Sequence, residues 1–397
     1  MNKDILKAGV QDYINNNLDT DIMSVLLRKS DFDTISSKEL AQQIEGKKKC
    51  AVKLPTWFRT TEIYYPPKLH IEQSSSEKTA LYKAGLLHGK SLLDVTGGFG
   101  VDSYFFSQRI DEIILCEINS TLSEITAHNL TVLGAHNIKI QNVDGIEYLK
   151  KSDKTFDWIF IDPSRRDKTR GKVFMLSECT PDISEHLDLL LDKSKGILLK
   201  TSPLLDIKMG LKELKYVEEI HIVAVNNEVK ELLWVIKGQN QNDPFIKTVN
   251  IKSSEDEVLA FKLSDENTAK SLYSRPLDFL YEPNAAILKA GAFKTIGNQF
   301  HLKKLHEHTH LYTSEKEVRF PGRVFKILSV CPYNKKSIRQ LGVAKANITI
   351  RNFPIQVADI RKKHKILEGG ELYLFFVKDF QNKLQIIKCS KMEQKYF

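Results

Sequence analysis

Apolar residues follow two regimes along this chain. Up to about residue 50 they recur every three or four positions: Ile5, Leu6, Val10, Tyr13, Ile14 and Leu18, then Ile22, Val25 and Leu26. That spacing predicts helices with one buried face. Ser36 or Ser37 caps a further helix through Ile44, which Gly46 ends. From residue 91 the pattern becomes short apolar runs separated by helical stretches. The runs 91–95, 112–117, 138–142, 158–162 and 196–201 predict strands, with helices such as 121–133 and 146–149 between them. Such alternation predicts a parallel sheet with helices on both faces. Two last runs, 219–225 and 231–237, flank only the polar stretch 226–230. They predict a hairpin, and so an antiparallel strand at the sheet edge.

The segments between these regimes are less regular. Residues 47–53 read as a basic linker. Trp57, Tyr64 and Tyr65 follow beside Arg59 and Lys53, where aromatics can stack on bases; the preferred reading is that they anchor the connection on the core. Ser75 or Ser76 caps a helix over 78–87, with Glu77 in its first turn. The Asn- and Gln-rich stretch 238–244 is a second linker. Beyond it come alternating short segments, a helix over 281–290 with Pro283 in its first turn, strands at 324–330, 347–351, 371–377 and 384–388, and a helix around 357–362. At 397 residues the chain is too long for one ordinary core. The expected division is 1–50, a helical module; 51–240, the α/β domain with a lead-in over 51–90; and two small α+β units, 241–325 and 326–397.

Composition narrows the function classes. The five Cys are scattered, with no Cys-x-x-Cys, which argues against a zinc site or disulfide frame and fits a reducing cytoplasm. His301, His306, His308 and His310 lack regular ligand spacing and read as a solvated face, so no metal is expected. No apolar run reaches 18 residues and the first residues lack a signal-peptide core, so no membrane association is expected. The net charge of +9 suits a polyanionic partner. Residues 321–370 hold eleven Lys and Arg against Asp359 and Glu368, densest at Arg361-Lys-Lys-His-Lys365.

The chemistry gathers on the first strand and its turn, Leu92-Leu-Asp-Val-Thr-Gly-Gly-Phe-Gly-Val-Asp-Ser103. A strand, a turn with Gly97, Gly98 and Gly100, and a helix form a nucleotide-type cofactor site. Asp94 stands just before that turn, where it would repel a pyrophosphate. A nicotinamide dehydrogenase is disfavoured on that ground, and S-adenosylmethionine (SAM), which has no phosphate, is favoured. Glu117 ends the second strand, Asp144 follows the third and Asp162 ends the fourth. One acid at a strand end is an ordinary surface residue. Four at successive strand ends line the place where open α/β sheets bind ligands.

Taken together, these features resemble a class I SAM-dependent methyltransferase over roughly 70–240. The resemblance implies a Rossmann-like α/β fold with a seven-stranded sheet ending in a hairpin. It implies that Glu117 binds the ribose, Asp144 the adenine, and Gly97, Gly98 and Gly100 underlie the methionine part, with Ser75, Asp94 and Thr96 beside them. Gln73-Ser-Ser-Ser-Glu77, Asp94-Val-Thr-Gly-Gly98, Ile161-Asp-Pro-Ser-Arg-Arg-Asp167, Tyr281-Glu-Pro-Asn284, Phe320-Pro-Gly-Arg323 and Arg351-Asn-Phe-Pro354 extend it over nearly the full length. They resemble a subgroup of RNA methyltransferases with a C-terminal ferredoxin-like segment and a THUMP-like domain. A tRNA or rRNA substrate is thereby implied, with Arg323, Arg351, Arg361, Lys362 and Lys363 as candidate RNA contacts.

Amino-methyltransferases carry Asp/Asn-Pro-Pro-aromatic where this chain has Asp162-Pro163-Ser164-Arg165-Arg166. Asp162 and Pro163 are kept as candidate catalytic residues. Asp162 can accept an amine hydrogen bond or take a proton as the methyl transfers. The aromatic is missing unless Arg165 stacks in its place, and Arg165 and Arg166 can grip a phosphate. Cys179 is the candidate for covalent attack on a pyrimidine, and reads better as a structural thiol. Lys200-Thr-Ser-Pro203 either lines the pocket or ends the fifth strand. The expected function is methylation of an RNA base nitrogen by a monomer. The alternatives are a methyltransferase of a protein or small molecule, and a non-catalytic RNA-binding protein on the same fold.

Overall fold

The computed structural model describes residues 1–165, 175–238 and 243–393. The chain divides into two compact units, Met1–Glu218 with Lys230–Asn242, and Glu219–Val229 with Asp243–Phe397.

The first unit opens with helices α1 (Ala8–Asn16), α2 (Ile22–Leu27), α3 (Ser37–Lys53), α4 (Pro55–Arg59), α5 (Lys68–Gln73) and α6 (Glu77–Ala84). Ser36 and Glu39 form a reciprocal capping box at the start of α3, which satisfies two of the backbone groups left over there. The expected stop at Gly46 and linker at 47–53 are both overturned, because α3 runs through them to Lys53. A Cβ on Gly46 would lie 2.5 Å from Tyr65 Cβ, so the glycine answers to a close packing contact. The helix ends at Leu54, where the following Pro55 disfavours helical geometry. Trp57, Tyr64 and Tyr65 are buried, as the anchoring reading requires. The 63–65 segment is held from both sides. Gln43 Nε2 donates to Tyr65 O and its Oε1 accepts Tyr65 N, both at 2.8 Å. Asn129 makes the same pair of bonds with the Tyr64 backbone, both at 2.9 Å.

The α/β layer follows as β1 (Gly89–Asp94), α7 (Val101–Phe106), β2 (Ile110–Cys116), α8 (Ser120–Val132), β3 (Ile138–Gln141), α9 (Gly145–Lys151) and β4 (Phe156–Ile161). Two-residue strands β5 (Ser164–Arg165) and β6 (Cys179–Thr180) pair with each other, then come α10 (Ile183–Asp192), β7 (Ser194–Thr201) and α11 (Ile207–Glu213). Next, β8 (Val217–Val225) turns through Asn226 and Asn227 into β9 (Glu228–Ile236). Those two residues have φ of 49° and 67°, the left-handed pair that a two-residue hairpin turn needs. Within the first unit the order is β9-β7-β4-β1-β2-β3, parallel except for β9 against β7. The chain reverses its direction of travel between β1 and β4, the switch point beside which such sheets bind ligands. The strands expected of the methyltransferase sheet are all present, displaced by at most three residues at their ends.

In the second unit β8 pairs parallel with β10 (Phe245–Ile251), which pairs antiparallel with β11 (Glu257–Lys262). Helix α12 (Leu263–Thr268) then leads to β12 (Phe279–Pro283), α13 (Ala285–Ala290), α14 (Thr295–Gln299), β13 (Lys303–Lys304), β14 (Tyr312–Ser314), β15 (Gly322–Pro332), α15 (Lys335–Leu341), β16 (Asn347–Arg351), α16 (Val357–His364), β17 (Leu372–Lys378) and β18 (Leu384–Lys391). These strands form a seven-stranded sheet, β13-β14-β12-β15-β18-β17-β16. The helix expected over 281–290 is shorter. Pro283 ends a strand, and Asn284 caps α13 through its Oδ1 on the Ile287 amide at 3.1 Å. His306 and His310 make packing and hydrogen-bond contacts, while His301 and His308 are exposed. His306 contacts the His308 amide and the Asn352 and Asn382 side chains, and His310 stacks on Phe293 at 3.7 Å. Among the described residues no three His, Cys, Asp or Glu gather as metal ligands, and no helix is long and apolar enough to cross a membrane.

Candidate active site

The carboxyl ends of β1, β2, β4 and β7, with the turns that follow, surround a cavity of about 750 Å³. The glycine turn forms one wall. Of its three glycines, two are demanded by packing. A Cβ on Gly97 would lie 2.2 Å from Leu115 Cδ2, and one on Gly100, whose φ is +75°, would lie 2.7 Å from Thr126 Cγ2. Gly98 has only Thr96 O within 4 Å of its Cβ position, so its open side is the one a ligand can approach.

Four acids stand at the strand ends, as the sequence pattern predicts. Asp94 is buried; its Oδ1 accepts the Thr96 amide at 3.0 Å and its Oδ2 the Ser103 hydroxyl at 2.6 Å. Burial pushes its carboxyl up to about 7 against those two hydrogen bonds, and Asp102 and Asp162 add to the rise. Glu117 holds the turn through Oε2 on the Gly98 amide at 2.8 Å, while its Oε1 accepts Asn119 N at 2.7 Å. Asp144 caps α9, its Oδ1 accepting the Ile146 and Glu147 amides at 2.9 and 3.0 Å. Asp162 receives the Lys200 ammonium on Oδ2 and donates its own amide to Thr96 Oγ1 at 2.8 Å. Pro163, Ser164, Thr180, Pro181 and the segment Lys200 to Leu204 complete that side. Gln73, Ser74 and Ser75 also reach the cavity.

Sequence reasoning missed the cations beneath this floor. Lys83 is wholly buried; its ammonium donates to both Glu231 oxygens at 2.7 and 2.8 Å and to Ser75 Oγ at 3.0 Å, and it lies 3.2 Å from Asp102 Oδ1 as an ion pair. Ser75 in turn donates to Asp102 Oδ2 at 2.7 Å, so its hydroxyl is fixed by this network. Burial pushes Glu231 up, with Lys83 and Lys200 opposing. Burial pulls Lys200 down, yet Asp162, Asp102 and Glu231 together hold it above the ordinary lysine range. The partners are 148 and 38 positions apart. The one local hint was Lys200 at a strand end.

The remaining candidates divide. Arg166 lies outside the described residues, as does the Arg165 side chain. Cys179 is fully buried, with Sγ directed at Met175 O at 3.7 Å, in keeping with a structural thiol. In the second unit Arg323 and Arg351 straddle the buried Glu282. Arg323 Nε donates to Oε2 at 2.6 Å and Arg351 Nη2 to Oε1 at 2.8 Å. Arg361 bonds the Ala346 and Ile366 carbonyls at 3.2 and 3.3 Å. Lys362 and Lys363 are exposed.

A parallel sheet ordered β4-β1-β2-β3, a glycine turn after β1 held by the acid ending β2, and an Asp-Pro step after β4 define a class I methyltransferase. The particular family follows from comparison with known proteins. Residues 279–321 match a ferredoxin-like domain family and 322–391 a THUMP-like domain family. The crystal structure of a candidate methyltransferase from Porphyromonas gingivalis W83 is similar over 99% of both chains, with 30% identity and a TM-score of 0.88. This chain belongs to that methyltransferase family, the one with C-terminal ferredoxin-like and THUMP-like parts. Among curated proteins, the ubiquinone/menaquinone biosynthesis C-methyltransferase UbiE of Francisella tularensis is 29% identical over 140 residues, 33% of this chain. The chain spans about half (53%) of the length of that relative.

Proposed function

We propose that this protein transfers the methyl group of S-adenosylmethionine to a base nitrogen of a structured RNA, tRNA or rRNA. The observation that carries the cofactor assignment is Glu117 clamped on the Gly98 amide at the mouth of an acidic turn. A pyrophosphate would meet Asp94, Asp102, Glu117 and Asp144 there. A sulfonium with an ammonium group and uncharged ribose hydroxyls suits the same donors and acceptors. In this reading Glu117 accepts the ribose hydroxyls and Asp144 Oδ2 the adenine amine. The backbone of Gly97, Gly98 and Gly100 lies along the methionine part, with Ser75, Asp94 and Thr96 beside it. The cofactor, when bound, supplies an electrophilic methyl group.

This chain's residues do the rest. The Asp162 carboxylate receives the acceptor's N–H and takes its proton, with Pro163 fixing the backbone after it. Holding the acceptor in line replaces a bimolecular encounter by an oriented one. The RNA part of the proposal is supported by the THUMP-like family match and by the basic segment 321–370. Arg361, Lys362 and Lys363 would meet phosphate. Arg323 and Arg351 outnumber Glu282 two to one, so that cluster keeps a positive charge.

Three measurements test the proposal. Isothermal titration should find SAM binding to the purified chain, and its absence would leave a non-catalytic RNA binder. Mass spectrometry of nucleosides from a deletion strain should find one methylated nucleoside missing. Failure to retain RNA even at low salt would move the acceptor to a protein or small molecule.

A further inference from the structure

Among the described residues, the Lys200–Asp162 pair is an unfinished hydrogen-bonding edge lining the cavity. The Lys200 side chain is only 12% exposed. Its ammonium carries three N–H donors, and one goes to Asp162 Oδ2. Among the described residues the other two have no hydrogen-bond partner. Buried ammonium groups are normally satisfied, so these donors point to an acceptor brought by whatever fills the cavity. Asp162 shows the opposite half. Its Oδ1 accepts nothing from the described residues, although the side chain is 32% exposed and borders the same cavity. Among the described residues, one open acceptor and two open donors therefore stand side by side, on a pair with no net charge.

We infer that Lys200 and Asp162 together read the acceptor base in its own plane, and that the base is an adenine- or cytosine-like ring, with an exocyclic amine beside an unprotonated ring nitrogen. The amine donates to Asp162 Oδ1, and the ring nitrogen accepts from Lys200 Nζ. This assignment rests on the methyl-transfer reading above and names the acceptor within it. It also accounts for a departure noted in the sequence. Ser164 and Arg165 stand where amino-methyltransferases carry Pro and an aromatic, so no ring at that position stacks on the base. In-plane contacts then have to orient it. In the step itself, the amine lone pair forms the N–CH3 bond as the S–CH3 bond breaks. The bonding pair stays on sulfur, and the proton leaving nitrogen passes to Asp162 Oδ1. Lys200 remains protonated throughout and acts by holding the ring.

The test uses the full chain, radiolabelled SAM and RNA from a strain lacking the gene. Lys200→Met should leave SAM affinity within about twofold while kcat/KM for RNA falls roughly ten- to a hundredfold, the range for losing a charged hydrogen bond. Lys200→Arg, which keeps donors there, should recover part of that loss. The labelled nucleoside should carry its methyl on the exocyclic amine. Loss of SAM binding in Lys200→Met would mean that the ammonium serves the cofactor, and would overturn the inference. So would a methyl on ribose or on a base carbon. Labelled RNA with a Lys200→Met rate equal to wild type overturns the inference alone. A wild-type protein that labels no RNA overturns the parent reading and the inference with it.

Discussion

Glu117 Oε2 accepts the Gly98 amide at 2.8 Å across 19 residues of chain. The acid that ends β2 thus holds the turn that follows β1, and the two walls of the proposed ribose site move as one. Glu117→Ala removes both the clamp and the hydroxyl acceptor. SAM affinity should fall about ten- to a hundredfold, since hydrogen bonds to charged groups are worth about 1.5–3 kcal/mol. Titration calorimetry reads this directly, and Glu117→Gln should lie between the two.

Asp162→Ala should abolish methyl transfer while leaving SAM binding in place. The assay is single-turnover transfer to RNA beside a binding isotherm. A variant working at wild-type rate would remove Asp162 from the mechanism.

Two glycine substitutions should separate packing from ligand access. Gly97→Ala forces a methyl group against Leu115 and should cost about 1–3 kcal/mol of stability, visible as a Tm several degrees lower. Gly98→Ala meets open space but keeps φ near +55°, a strain of roughly 1–2 kcal/mol. Its larger effect should fall on SAM affinity.

Lys83→Met strips the buried Glu231 of its cation. Breaking a buried pair from one side costs about 3–5 kcal/mol, so chemical denaturation should register a large loss. Lys83→Met with Glu231→Leu should regain part of it, because no charge is then stranded at that position.

Asp94 makes stability depend on pH. Its folded carboxyl lies at about 7, above its ordinary value of 3.8. The stability it contributes is complete below 3.8 and is lost as pH rises through 7. Asp94→Asn should therefore gain on wild type between about pH 4 and pH 8. Paired thermal melts across that range should show the two curves drawing together or crossing as pH rises.

Periodicity made the sheet legible because each strand carries its own apolar run, and the first four parallel strands each have an acid at or just past their end, all within a few residues. Asp94, Glu117, Asp144 and Asp162 could be found that way. Lys83 with Glu231, and Lys200 with Asp162, could not, since nothing local marks partners that meet only after the sheet is assembled. Gly46 was misleading for a related reason. A glycine in a helix reads as a stop unless the Tyr65 side chain packed against it is known. Arg323 and Arg351 looked like free cations for RNA, and Glu282, 41 and 69 positions away, braces both.

The first fifty residues carry no chemistry of their own, yet they bear on the turn. Gln43 of α3 laces the 63–65 backbone to one side, Asn129 of α8 laces it to the other, and Thr126, one helical turn before Asn129, donates to Gly98 O at 2.8 Å. The hold on the turn thus comes from side chains of α3 and α8 that themselves stand outside the cavity lining. The stiffness of the turn is set partly from outside the cavity, and Gln43→Ala should show it as faster amide exchange at residues 97–100.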